Sequence, residues 1–99
     1  MKALDGLAPA LEHRARLAIA VLLARHGEIS FAAFKEQLEL TDGSLGAQLR
    51  RLEDDGLIAL RRDFIDRKPT TWYRLTAAGR KALGRHLRAL REVIAVAGA

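Results

Sequence analysis

The periodicity of apolar residues changes twice along this chain, and the order of the changes restricts the folds open to it. Helical spacing extends from about residue 9 to Asp55, two strand-like segments follow up to Leu75, and helical spacing returns from Thr76 onward. Apolar residues at every third or fourth position predict helices, and short runs bounded by turn residues predict strands. Because 99 residues seldom form two cores, the sequence predicts one α+β domain over residues 1–99, with helices on both sides of a β-hairpin.

The first helix is predicted over about residues 9–26, after a flexible tail of residues 1–8. Pro9 suits its first turn, and Gly27 follows its last turn as a stop signal. A surface helix needs only one apolar face, yet this segment has two, and the second predicts burial against a partner subunit. The stripe expected to face the core consists of Leu11, Ala15, Ala18, Leu22 and His26. The second stripe consists of Leu17, Val21 and Ala24.

Two shorter helices come next and form a predicted helix-turn-helix. After a strand stub at residues 28–30, Ser30 is expected to cap a helix over about residues 31–39. Thr41 is the expected cap of a third helix, which ends at about Asp55, before Gly56. The inward side of this third helix is predicted from three leucines at helical spacing, namely Leu45, Leu49 and Leu52.

A hairpin and a long last helix complete the chain. Residues 57–65 and 71–75 are predicted as two strands, joined by a polar loop at 66–70 that contains Pro69. Thr76 is the expected cap of the last helix. Apolar residues spaced by four, three and four positions predict a seam that packs along another helix, and they are Leu83, Leu87, Leu90 and Ile94.

Three segments resemble the signatures of a known family. Residues 41–45 (TDGSL) and 49–58 (LRRLEDDGLI) resemble the recognition helix of MarR-like and ArsR-like winged-helix regulators. Residues 71–80 (TWYRLTAAGR) resemble the passage from the wing to the last helix in that family. The similarity covers about residues 12–90 and is greatest to the stand-alone, single-domain branch. It implies a winged helix-turn-helix fold, mainly helical, with a two- to three-stranded wing and a long C-terminal dimerisation helix.

The resemblance also implies where duplex DNA would be bound. On the third helix, Gln48 is expected to pair with adenine and an arginine with guanine or phosphate. The residues expected at or beside the major groove are Ser44, Ala47, Gln48, Arg50 and Arg51. The wing is expected to contact phosphates or the minor groove through Arg62, Arg67 and Lys68, with Arg61 in support. Ser30 and Lys35 are further predicted phosphate contacts, and Trp72 is expected to pack against the wing or the first helix.

Composition argues against several other classes of function. The chain has no cysteine, which excludes disulfides, thiol catalysis and cysteine-ligated metals. His13, His26 and His86 lie on separate predicted helices, so no metal or cofactor is predicted; a zinc ion shared across a dimer is the alternative. Neither Ser30 nor Ser44 has a neighbouring histidine in sequence, and no catalytic set is predicted. The N-terminus lacks a signal-peptide pattern and no apolar run is long enough to cross a bilayer, so a cytoplasmic location is expected.

The sequence thus predicts a non-enzymatic, sequence-specific regulator that binds double-stranded DNA as a homodimer through its first and last helices. The net charge of +5 is compatible with an anionic partner, although most of the cationic excess lies in residues 76–99, away from the third helix. Repression is the expected effect on transcription, and activation fits the same sequence. Two other functions stay open: a protein–protein interaction module, and a sensor with a small-molecule effector between the first and last helices.

Overall fold

The protein folds as a winged helix, and the computed structural model describes residues 1–98. Two short 3-10 helices precede four α-helices and three strands. The elements are the 3-10 helices Lys2–Gly6 and Pro9–Leu11, α1 Arg14–His26, β1 Glu28–Ser30, α2 Phe31–Leu38, α3 Asp42–Asp54, β2 Ile58–Ile65, β3 Lys68–Leu75 and α4 Ala77–Ala97. The predicted α+β class and order of elements are confirmed.

Side-chain caps define where the helices begin. Ser30, Thr41 and Thr76 each accept a hydrogen bond from the backbone N–H three residues later, which confirms the three predicted caps. The first helix begins later than predicted, because His13 has extended backbone angles and caps α1 with its own side chain. Pro9 accordingly lies in a separate 3-10 turn and not in the first turn of α1.

The three strands form one antiparallel sheet with β3 in the middle. Tyr73 of β3 lies between Ile29 of β1 and Leu60 of β2. The strand β1 pairs only with Trp72–Arg74, so the outer part of the β2–β3 hairpin projects from the body of the protein as the wing.

The turn of the wing is shorter than predicted. The first strand ends at Ile65 as predicted, but β3 begins at Lys68 and so includes residues 68–70 of the expected loop. The chain reverses over Asp66 and Arg67, whose φ angles are +51° and +64°. Two successive residues with positive φ match the mirror-image turn that suits the twist of a hairpin. Pro69, which we expected to break the strand, lies in β3 opposite Phe64. A proline is tolerated there because no strand pairs with β3 on its other side at that point.

The core lies between α1, α2, α3 and the sheet, and α3 enters it as predicted. Leu45, Leu49 and Leu52 are all buried, together with Phe34 of α2 and Tyr73 of β3. The inward face of α1 differs from the prediction, because the surrounding elements cover a stripe that is rotated from the expected one. The residues buried on α1 are Ile19, Ala20 and Leu23, whereas Ala15, Ala18 and Leu22 are half-buried and His26 is exposed.

The last helix also turns a different face inward than its leucine spacing suggests. Of the predicted seam, only Leu83 is buried, and Ile94 is 51% exposed. The buried face of α4 instead consists of Gly79, Leu83, His86 and Ala89. Part of this face is covered by residues 1–8, the segment expected to be a flexible tail. In the structure this segment lies along α4, where Ala8 donates its backbone N–H to Nδ1 of His86.

None of the helices within residues 1–98 combines the length and the apolar character that a membrane span requires.

Candidate nucleic-acid interface

The outer face of α3 is free of contact with the core and is built for close approach. Gly43, Ala47, Arg50 and Asp54 are all exposed, on the side opposite the buried leucines. A methyl group is the largest side chain in the N-terminal half of this face, so a partner surface can come near the backbone. Ser44 is exposed beside it, and its own N–H is bonded to the Thr41 cap. A helix with small side chains on its outer face can enter the major groove of duplex DNA.

The two arginines of α3 differ in whether an ion pair within the chain already holds the guanidinium group. Arg51 forms an ion pair with Asp55 one turn later, with 3.1 Å between Nε and Oδ2. Arg50 is exposed and forms no ion pair within residues 1–98. Exposed i,i+4 ion pairs contribute only about 0.3–0.5 kcal/mol, so Arg51 can still leave Asp55 for a phosphate. Arg50 needs no such exchange.

A groove of about 360 Å³ separates α3 from the wing and brings cations of both elements to one place. Arg50 lines it from α3, and Arg62 lines it from β2. Glu53, Thr71 and Tyr73 are the other lining residues with polar side chains. Arg62, like Arg50, has no ion-pair partner among the described residues. An anionic backbone that follows this groove would meet both guanidinium groups.

Arg61 lies on the opposite face of the hairpin from Arg62, because successive residues of a strand alternate. Its guanidinium bonds both carboxylate oxygens of Glu28, at 2.7 and 2.8 Å, and reaches Asp63 at 3.1 Å. It also lies over the ring of Trp72, 5.5 Å from the centroid. Glu28, Asp63 and the ring of Trp72 thus already engage Arg61, and its supporting DNA contact stays a prediction.

The same network shifts the titration of its carboxylates. The hydrogen bond from Arg61 lowers the pKa of Glu28. The pKa of Asp63 is lowered first by the backbone N–H of Phe64 and then by Arg61. Trp72 packs against the wing strand as expected, but its indole Nε1 is sealed from solvent and has no partner among the described residues.

The tip of the wing carries the remaining predicted cations. Arg67 lies in the turn and Lys68 begins β3; both are exposed and neither forms an ion pair with any described residue. Phe64, on the strand before them, is 71% exposed. The sequence analysis missed this exposed ring, although a phenylalanine among charged residues near a turn was a usable signal.

Gln48 lies beside the exposed outer face of α3 and not on it. It is half-buried on the flank that faces α1, and its Oε1 accepts a 2.8 Å hydrogen bond from Nη1 of Arg16. The Nε atom of Arg16 donates to the carbonyl of Ala10 at 2.6 Å. The sequence analysis missed Arg16, because it lies 32 positions before Gln48 and no local pattern links the two.

Two other polar residues that were predicted to contact phosphate, Ser30 and Lys35, also have hydrogen-bond or ion-pair partners within the chain. The Oγ atom of Ser30 accepts the N–H of Ala33, and Lys35 forms a 2.8 Å ion pair with Asp42 at the start of α3. A groove of about 520 Å³ lies between α1, α2 and α3. The alternative function of a small-molecule sensor would instead place its effector between the first and last helices. Residues 1–98 contain no cluster of three or more histidine, aspartate or glutamate side chains suited to a metal ion.

Comparisons with known proteins agree with the winged-helix fold. A family model described as a winged helix DNA-binding domain matches residues 15–94. A transcriptional regulator homologue protein from Pyrococcus horikoshii OT3 is 29% identical, with all of both chains covered and a TM-score of 0.91. HlyU from Vibrio cholerae N16961 is 28% identical over 89% of this chain and 90% of that chain, with a TM-score of 0.69. The YusO protein from Bacillus subtilis, at 22% identity, shares the fold with a TM-score of 0.79 over 95% of this chain and 66% of its own. A search of curated proteins found no match.

Proposed function

This chain belongs to the winged-helix DNA-binding domain family and is a DNA-binding regulator, and we propose that it reads a specific duplex sequence through α3 and the wing. The observation that carries this proposal is the placement of four exposed cations without ion-pair partners in the described chain. They lie on α3 and along the wing, and they are Arg50, Arg62, Arg67 and Lys68.

In the proposed complex, α3 enters the major groove with its outer face toward the bases. The small side chains of Gly43 and Ala47 allow the backbone to approach the base edges, and Arg50 is long enough to reach a guanine or a phosphate. Arg62 binds the phosphates that border the groove between α3 and the wing. Arg67 and Lys68 extend the contact to the next phosphates or the minor groove.

The proposal includes a homodimer that uses α1 and α4. Val21 of α1 and Ile94 of α4 are 41% and 51% exposed, and large apolar side chains on two helices are suited to a shared interface. A two-fold axis between such helices would place two copies of α3 about one turn of DNA apart, on a near-palindromic site. Repression then follows from obstruction of polymerase at a promoter. The site of action is the cytoplasm, where such DNA is accessible.

Selection of binding sites from random duplexes, carried out at two salt concentrations, tests the proposed function. We expect one enriched motif with two-fold symmetry. The affinity for unrelated DNA should fall steeply as the salt concentration rises, as expected when protein cations contact phosphates. Absence of any enriched sequence, with the folded protein in the assay, would contradict sequence-specific binding.

A protein-interaction module is the second candidate, and the exposed ring of Phe64 favours it. Ile65 beside it is 45% exposed, so the outer wing offers apolar surface as well as charge. Phe64→Ser tests whether this ring takes part in DNA binding, because it removes apolar surface without removing a cation. Unchanged affinity for the selected duplex would assign Phe64 to a role other than DNA binding.

A further inference from the structure

We propose that Arg16 is a positioning residue for base readout, which holds the amide of Gln48 so that its NH2 group is the part offered to DNA. Gln48 then acts as a hydrogen-bond donor to an acceptor on a base edge. This inference rests on the proposed function, because it requires α3 to lie in the major groove.

The orientation of the Gln48 amide follows from the chemistry of its neighbour. Arginine has five N–H donors and no acceptor, so only the oxygen of an amide can face it favourably. The 2.8 Å bond from Nη1 of Arg16 to Oε1 of Gln48 is therefore a constraint on which end of the amide points toward α1. A flipped amide would direct N–H groups at a cation. The NH2 group consequently points away from Arg16.

The NH2 group of Gln48 is available. Within residues 1–98 its Nε2 atom forms no hydrogen bond, and it is not among the polar atoms sealed from solvent. Ser44 lies one turn earlier on the same flank of α3 and is exposed. Ser44 and Gln48 line the same groove, beside the outer face that carries Ala47. An amide donor and a hydroxyl thus border the surface that would meet the bases.

The guanidinium of Arg16 is itself held in place. Its Nε donates to the carbonyl of Ala10, a residue of the buried turn Pro9–Leu11. Two residues earlier, the N–H of Ala8 is bonded to the buried His86 of α4. Both edges of the guanidinium are engaged, so the rotamer of Gln48 is set before any ligand arrives. A side chain ordered in advance loses less entropy on binding, and that saving appears as affinity for the matching base.

The predicted readout differs from the pairing expected from sequence. A bidentate contact with adenine requires the oxygen and the NH2 group of glutamine to face the same base. Here the oxygen is turned toward Arg16 of α1, so the group offered on the other side is a donor. Its partners are the acceptors of the major groove, N7 of a purine, O6 of guanine or O4 of thymine.

The decisive variant is Arg16→Lys. It keeps the positive charge but replaces the planar fork with a single ammonium, which cannot bond Ala10 and Gln48 in the same geometry. We expect the preference of the protein for the selected base pair at one position of the duplex to fall by about tenfold. The salt dependence of binding should stay unchanged. Arg25→Lys is the matched control, because Arg25 is an exposed arginine of the same helix that does not line this groove, and the base preference of this variant should equal that of the wild type.

Gln48→Glu provides a second variant that preserves the link to α1. A carboxylate still accepts from Arg16, so the melting temperature should not fall, but the donor is replaced by an acceptor. We expect loss of preference at the same position that Arg16→Lys affects. Thermal unfolding of each variant verifies that the protein under test is folded.

The outcomes separate this inference from the proposed function. Wild-type preference in folded Arg16→Lys overturns the positioning role and leaves sequence-specific binding intact. A uniform loss of affinity on all duplexes with a shallower salt dependence in Arg16→Lys, a variant that keeps the charge, also overturns it. A wild-type protein with no preferred sequence overturns the proposed function and this inference together.

Discussion

The Nδ1 atom of His86 accepts a 2.9 Å hydrogen bond from the backbone N–H of Ala8, 78 positions earlier in the chain. His86 is only 2% exposed, so its imidazole ring lies within the core. Because the donor is a backbone group, the bond joins the N-terminal segment to the middle of α4. The segment continues to Ala10, whose carbonyl binds Arg16.

Replacement of His86 should release this segment. His86→Leu leaves the N–H of Ala8 without a partner, and an unsatisfied buried donor lowers the free energy of unfolding by about 1–3 kcal/mol. Urea unfolding measures this change. His86→Asn is the control, because its side-chain oxygen can accept from Ala8. Limited proteolysis should cut residues 1–12 faster in His86→Leu than in His86→Asn; equal rates in both would contradict the role given to the bond.

Gly79 should not tolerate a side chain. A Cβ atom at this position would lie 2.8 Å from the carbonyl carbon of Leu57 and closer still to its oxygen. Both atoms are backbone and cannot move aside, so Gly79→Ala should lower the free energy of unfolding by about 1–3 kcal/mol or more. Gly84→Ala, on the same helix, meets only the end of the flexible Arg88 side chain and should raise it by about 0.5–1 kcal/mol. Chemical denaturation measures the free energy of unfolding of both variants. Equal changes in the two would be evidence against the close packing of α4 on Leu57.

Arg67→Gly should separate stability from DNA binding at the wing. Arg67 has a φ of +64°, a conformation that costs a non-glycine residue about 1–2 kcal/mol, so glycine should raise the melting temperature. Loss of its charge should weaken binding to all duplexes and reduce the salt slope by about one. Lys68→Ala removes a charge without changing the turn, so it should weaken binding alone. A wing that does not touch DNA would leave the salt slope unchanged in both variants.

Arg50 should contribute more to binding than Arg51. Arg50 has no ion-pair partner in the described chain, whereas Arg51 must leave Asp55 before it can bind DNA. Arg50→Ala should lower affinity for the selected duplex by about 1–3 kcal/mol, and Arg51→Ala should lower it less. Both sites are exposed, so the free energy of unfolding should change by no more than about 0.5 kcal/mol. Titration of a labelled duplex gives the comparison, and a larger effect for Arg51 would reverse this assignment.

Ile94→Asp should dissociate the proposed homodimer. Ile94 is half-exposed in the single chain, so a monomer tolerates a charge at this position. In the helix–helix interface of the proposed homodimer, the same charge would be buried without a partner. Val96→Asp is the control, because residues two apart lie on different sides of a helix and Val96 is 73% exposed. Sedimentation at micromolar concentration should give a dimer for the wild type and Val96→Asp, and a monomer for Ile94→Asp. A monomeric wild type would remove the proposed two-fold arrangement.

The sequence by itself determined those parts of the fold that depend on neighbours within about four positions. Thr41 and Thr76 cap helices because their hydroxyls reach N–H groups three residues away, and the inward leucines of α3 follow from their spacing. The order of elements and the exposed cations of the wing were predictable for the same reason. Arg50 was likewise placed correctly on the outer face of α3.

Only the tertiary structure decided what depends on contacts between distant segments. The stripe of α1 that is buried, and the exposure of His26, were set by the elements that pack on that helix. The amide of Gln48 is bonded by Arg16 of α1, and His86 is buried where residues 1–8 lie along α4. Periodicity identifies the faces that a helix offers, but it does not identify the partner that covers each one. That choice is made by packing and hydrogen bonding between residues far apart in sequence, and in this protein it determines which side chains remain free to meet DNA.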